Sequence, residues 1–101
     1  MEDIEVVREF KKRVLQFYPH SEIYFYGSRV KKTHRDDSDY DVLVLLDTVD
    51  STTRKKIYDI AWETGFEYDA LIAPVLSIKE YFYSPDISPF LNNVKQYGLA
   101  L

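Results

Sequence analysis

The apolar positions of this chain change period several times, and each change marks a new element. Ile4, Val7, Phe10, Val14 and Phe17 fall at steps of three and four residues, the stripe of an amphipathic helix over Asp3 to Tyr18 that Pro19 ends. From Glu22 the period shortens to two. Ile23 and Phe25 alternate there against Tyr24 and Tyr26, so a strand is expected to run into Gly27. Ser28 to Lys32 fits a short helical turn, and the polar run Thr33 to Ser38 fits a loop.

Asp39 to Leu46 predicts a second strand, and its centre, Val42 to Leu46, is apolar without interruption, as in a strand covered on both faces. Ser51 or Thr52 is expected to cap a helix through Thr64, with Ile57, Ile60 and Ala61 facing inward and Gly65 as its C-terminal stop. Phe66 to Val75 predicts a third strand broken near Pro74, and Ser77 to Tyr83 a short helix. After the turn SPDISP, Phe90 to Tyr97 predicts a last helix closed by Gly98. Strands and helices in this order imply an α/β chain with one small sheet covered by helices.

Nearly half of the 101 residues are apolar and 16% are aromatic, enough for one packed interior and too few for two, so a single domain over 1–101 is expected. A net charge of -4 with both signs mixed along the chain argues against a protein that coats nucleic acid by phosphate attraction. No apolar stretch reaches the roughly 20 residues of a membrane span, and the acidic, mixed start MEDIEVVREF is unlike a secretory signal. A cytoplasmic protein is the simplest expectation. The lack of cysteine excludes thiol nucleophiles and cysteine metal sites.

Chemistry concentrates between Tyr26 and Leu46. Asp36, Asp37, Asp39 and Asp41 fall within six residues, directly ahead of the apolar run. Residues two apart in a strand share a face, so Asp39 and Asp41 project together while Tyr40 points away. Two like charges at that spacing raise one pKa or hold a cation between them, and Mg²⁺ favours one or two carboxylates completed by phosphate oxygens and water. The strand ending in Gly27-Ser28 offers backbone N–H groups and a hydroxyl to an anion, and glycine lets the backbone approach it. Asp69, in the apolar run FEYDALIAPV, is a third ionisable residue expected in a strand. There it would share a metal or accept a proton from an attacking hydroxyl.

Gly27-Ser28, ten intervening residues, Asp39-x-Asp41 and a later strand aspartate together resemble the polymerase β-type nucleotidyltransferase superfamily, most closely its minimal nucleotidyltransferase (MNT) branch of MntA-like antitoxins. The resemblance extends over GSR at 27–29, SDYDVLVLL at 38–46, EYDALI at 67–72 and the SPFLNNVKQYGLAL tail. It implies a mixed sheet flanked by helices and transfer of AMP from ATP to a hydroxyl. It further implies Mg²⁺ on Asp39 and Asp41, Asp69 assisting the acceptor, and Gly27, Ser28 and Arg29 at the nucleotide. The implied acceptor is a tyrosine of a HEPN-domain toxin partner, neutralised by adenylylation. Lys32 departs from the glycine common at that place. Larger relatives carry an added helical domain, so the acceptor surface is expected from a partner or from another copy of the chain.

Other readings compete with these. The chain could be a binding module that masks its partner without catalysis, or it could modify a small molecule. Asp36 and Asp37 fit a solvated loop, Lys31 and Lys32 a solvated basic face, and His20 and His34 exposed loop positions. Arg29 and Arg35 could steer triphosphate. Tyr24 and Tyr58 fit core or half-buried places, and Tyr81, Phe82 and Tyr83 an exposed aromatic patch suited to a subunit interface. GSRVKKT lacks the second glycine of a P-loop.

Overall fold

The computed structural model describes residues 3–31 and 39–101. Lys32 and the expected loop at Thr33 to Ser38, with His34, Arg35, Asp36 and Asp37, lie outside the described residues. The elements are α1 (Asp3–Phe17), β1 (Glu22–Tyr26), α2 (Ser28–Lys31), β2 (Tyr40–Leu46), α3 (Ser51–Tyr68), β3 (Ile72–Ile78), α4 (Lys79–Phe82), α5 (Pro89–Tyr97) and β4 (Leu99–Ala100). The strands form one sheet in the order β3-β2-β1-β4. β1 runs antiparallel to both β2 and β4, while β2 and β3 are parallel, joined by the crossover that α3 supplies. The sheet is mixed and helix-covered, as expected.

Alternation along β2 divides the core in two. Tyr40, Val42, Val44 and Leu46 pack beneath α1 and α3, against Val7, Phe10, Val14, Ile57 and Ile60. Leu43 and Leu45 face the other way, onto Phe82, Leu91 and Val94 of α4 and α5. Covered on both faces, Val42 to Leu46 are no more than 3% exposed, which explains their unbroken apolar run. Asp41 shares the second face with Leu43 and Leu45.

Several boundaries differ from the sequence-based expectation. α3 is capped by Asp50, whose carboxylate accepts the Thr53 N–H at 2.8 Å, rather than by Ser51 or Thr52. It continues past Thr64 to Tyr68 with Gly65 buried inside it. Gly65 is there for close approach: an added Cβ would overlap the Ala70 carbonyl oxygen, and the Ala70 N–H donates back to the Gly65 carbonyl at 2.8 Å. The helix ends instead at Asp69, whose φ of 52° is the left-handed cap conformation that aspartate tolerates better than most residues. Asp69 is therefore not in a strand, and β3 begins only at Ile72. Pro74 does not break β3, because this strand is the sheet edge and a missing N–H is tolerated on the open side.

Phe17 is exposed beneath the Lys56 ammonium, 3.8 Å from its ring centre, and Val6, outside the expected stripe, is buried. Tyr58 is exposed, whereas Tyr24 is half-buried against Phe82, 5.0 Å between ring centres. Phe82 is fully buried and only Tyr81 and Tyr83 are exposed, so the expected three-residue patch is split. β4, two residues long, pairs with Tyr24 and Phe25 and is too short to carry a periodic signal.

Candidate functional site

The end of β1 and the start of β2 meet at one end of the two central strands, because the antiparallel register sets Tyr26 beside Asp41. There the chain turns at Gly27, with φ of 90°, and enters α2 at Ser28. Glycine is required twice over. Its φ is one that side chains rarely adopt, and the Asp41 carboxylate fills the place a side chain would take: an added Cβ would overlap Oδ2 and stand 3.3 Å from Cγ.

Asp41 is half-buried, and burial, followed by the like charge of Asp39, raises its pKa above the ordinary carboxylate value. Asp39 is exposed and immediately precedes β2. Tyr26 lies beside Asp41 on the same face, and burial, followed by the Asp41 charge, pushes its hydroxyl up to about 12. Phe90 of α5 meets the Tyr26 ring edge-on at 5.5 Å. Ser88 holds the start of α5 in place by accepting the Leu91 N–H at 3.3 Å. Neither Tyr26 nor Phe90 stood out in the sequence. The alternation of β1, which gives Tyr26 the same face as Tyr24, was the available signal.

Arg29 turns to the opposite face. Its guanidinium donates to Asp3 Oδ1 at 3.0 Å and lies 4.0 Å over the centre of the Tyr40 ring. The Tyr40 hydroxyl donates to the same oxygen at 3.0 Å. Burial first, then that bond to Asp3, raises the Tyr40 pKa against the opposing Arg29 charge. These residues tie α1, α2 and β2 together. They also line a groove of about 770 Å³ beside Trp62, Phe66, Asp69 and Leu71.

The groove and the aspartate pair are thus on opposite faces of the sheet. Asp69 caps α3 and lines the groove, and the charge that perturbs Asp41 is that of Asp39. The β3 residue in register with Asp41 is Ala73. Among the described residues no three His, Asp or Glu side chains gather to hold a metal, so the expected convergence of Asp69 on the pair is not met. A pair nevertheless suits a hard divalent cation whose remaining ligands come from phosphate and water. The raised pKa of Asp41 is a charging cost that such a cation relieves. His20 is exposed and takes no part.

The nucleotidyltransferase domain family matches residues 7–97. The chain is 31% identical, over the full length of both sequences, to a candidate protein adenylyltransferase of Methanocaldococcus jannaschii. Among solved structures it resembles a toxin–antitoxin crystallised with AMP-PNP, with a TM-score of 0.61 and 23% identity over 91% of this chain and 69% of that one. It also resembles an MntA–HpeT toxin–antitoxin in a double Asp-to-Glu variant, with a TM-score of 0.60 and 19% identity over 99% of this chain and 72% of that one. No described helix is long and apolar enough to cross a membrane.

Proposed function

The chain belongs to the nucleotidyltransferase domain family, and from that premise we propose that the Gly27-Ser28 turn and the Asp39–Asp41 pair transfer AMP from ATP to a hydroxyl of a protein partner. The observation that carries this reading is the contact of Gly27 with Asp41. It sets a backbone free of side-chain bulk against a half-buried carboxylate, the arrangement a phosphate and its counter-cation require.

Gly27 brings the turn against the Asp41 carboxylate, and the Ser28 hydroxyl with the N–H groups at the start of α2 donates to phosphate oxygens. Asp39 and Asp41 would hold Mg²⁺, and the bound ion would neutralise the triphosphate and the charge that builds up at the α-phosphoryl group. The acceptor oxygen forms a bond to the α-phosphorus as the bond from that phosphorus to the α,β-bridging oxygen breaks. Pyrophosphate leaves with the electron pair, and the hydroxyl proton is released.

With Asp69 on the groove side, no third described carboxylate is at hand to take that proton. A tyrosine acceptor, whose hydroxyl ionises near pH ~10, then reacts more readily than an aliphatic hydroxyl. The relative named for protein adenylylation and the toxin–antitoxin neighbours, one of them crystallised with AMP-PNP, support a protein acceptor. A HEPN-type toxin encoded beside this chain is the proposed partner, and its neutralisation the outcome.

ATP labelled at the α-phosphate, and separately at the γ-phosphate, is incubated with the protein, Mg²⁺ and the neighbouring gene's product. Only the α label is expected on the partner, and it is lost with Asp39→Ala/Asp41→Ala. Tight partner binding without transfer by the unaltered protein would replace this reading with that of a contact-masking module.

A further inference from the structure

Helix α3 turns an aromatic stripe to solvent. Tyr58, Trp62 and Phe66, at four-residue steps, are 42%, 68% and 78% exposed, and Leu71 beyond the helix is 62% exposed. Trp62 and Phe66 stack nearly parallel, with 5.4 Å between ring centres. Exposed apolar area this continuous marks an interaction surface.

The charges flanking the stripe indicate what covers it. Arg54, Lys55 and Lys56 crowd the start of α3, while Glu63, Glu67 and Asp69 lie at its end. No acid is in its first turn and no base in its last. Beyond the Asp50 cap, the charges within the first and last turns run against the helix dipole, which favours anions at the N-terminus and cations at the C-terminus. A second α3 running antiparallel would reverse the relation, placing each basic end beside an acidic one.

Sequence spacing gives this pairing a centre. About Trp62, Tyr58 faces Phe66 of the other copy and Lys55 faces Asp69, and all five positions lie on the exposed side. Lys55 already pairs with Asp59 at 3.0 Å yet keeps a side chain 78% exposed, so its charge remains available. Such a surface is self-complementary about a two-fold axis.

We propose that the outer face of α3 is a homodimer interface, formed by two antiparallel copies of the helix with Trp62 at the dyad and Lys55 opposite Asp69. The three rings offer roughly 300–450 Å² per protomer on the usual scale for aromatic burial, against about 800 Å² for a standard interface. The dimer is accordingly weak and concentration-dependent. It leaves the opposite face of the sheet, where Asp41 lies, free for substrate.

Trp62 is the chain's one tryptophan and there is no cysteine, so the test is direct. Sedimentation across micromolar concentrations is expected to pass from monomer to dimer, with a parallel change in Trp62 emission. Trp62→Ala, with far-UV circular dichroism unchanged, is expected to weaken association about tenfold or more, and Lys55→Glu to weaken it as well. Tyr58→Cys mixed with Phe66→Cys is expected to cross-link through a short bismaleimide faster than either variant alone. Monomer at every concentration, or faster linking within either single variant than in the mixture, would overturn the proposal. So would occupancy of this face only when a different protein is added.

Discussion

The Asp41 carboxylate stands in the space a side chain at position 27 would need, so two residues fourteen positions apart in the chain form one contact at the end of the central strands. Gly27→Ala must move that carboxylate and also adopt φ of 90°, a strain of roughly 1–2 kcal/mol before any clash. Stability is expected to fall by about 2–3 kcal/mol, a Tm loss on the order of 10 °C or more. Nucleotide-dependent activity should be lost even below the lowered Tm, as thermal melts and transfer assays at low temperature would show.

Asp41 illustrates a conflict between stability and function. Burial and Asp39 raise its folded pKa above the ordinary 3.8, so the folded state binds the proton more tightly than the unfolded chain. The favourable contribution of the protonated form is fully present below 3.8 and is lost as pH rises through the folded value. Asp41→Asn is never charged. In metal-free buffer at neutral pH it is expected to melt higher than the unaltered protein, on the order of 2–5 °C. The gain should vanish on acidification, and transfer should be abolished at every pH.

Arg29 couples α1, α2 and β2 in this structure. Arg29→Lys keeps the charge but loses the planar stack on Tyr40 and the fixed geometry toward Asp3. A loss of about 2 kcal/mol in unfolding free energy is expected from urea denaturation, with the KM for ATP unchanged. A raised KM at unchanged stability would instead place Arg29 at the nucleotide.

Gly65→Ala opposes two effects of known sign. Helix propensity favours alanine by about 1 kcal/mol, but the new Cβ overlaps the Ala70 carbonyl oxygen, a backbone atom of the turn that leads into β3. Overpacking against backbone outweighs propensity, and a net destabilisation of about 1–3 kcal/mol is expected in chemical denaturation.

What could be read in the sequence follows from where each determinant lies. β1 and α5 were legible because their burial repeats at the period of the element, β2 because its apolar run is unbroken, and Asp39 and Asp41 because their spacing is itself a geometric statement. Asp69 was misplaced because apolar residues on both sides of it look like a strand, and Gly65 offered a plausible helix stop. Only the approach of Ala70 shows that Gly65 belongs inside the helix. Arg29 was legible as a cation but its partner was not, since Asp3 lies 26 residues away and the two meet only in the folded chain. The role of Tyr26 likewise required the β1–β2 register.

The Mg²⁺-nucleotide reading of the Asp39–Asp41 pair can be tested without knowing the acceptor. Thermal melts with ATP alone, Mg²⁺ alone and both together are compared for the unaltered protein and Asp39→Ala/Asp41→Ala. A ligand that binds only the folded state raises Tm by an amount that grows with the logarithm of its concentration over its Kd. A clear rise is expected with ATP and Mg²⁺ together in the unaltered protein, little with ATP alone, and none in the double variant. An equal rise in both proteins, or a rise independent of Mg²⁺, would contradict this reading.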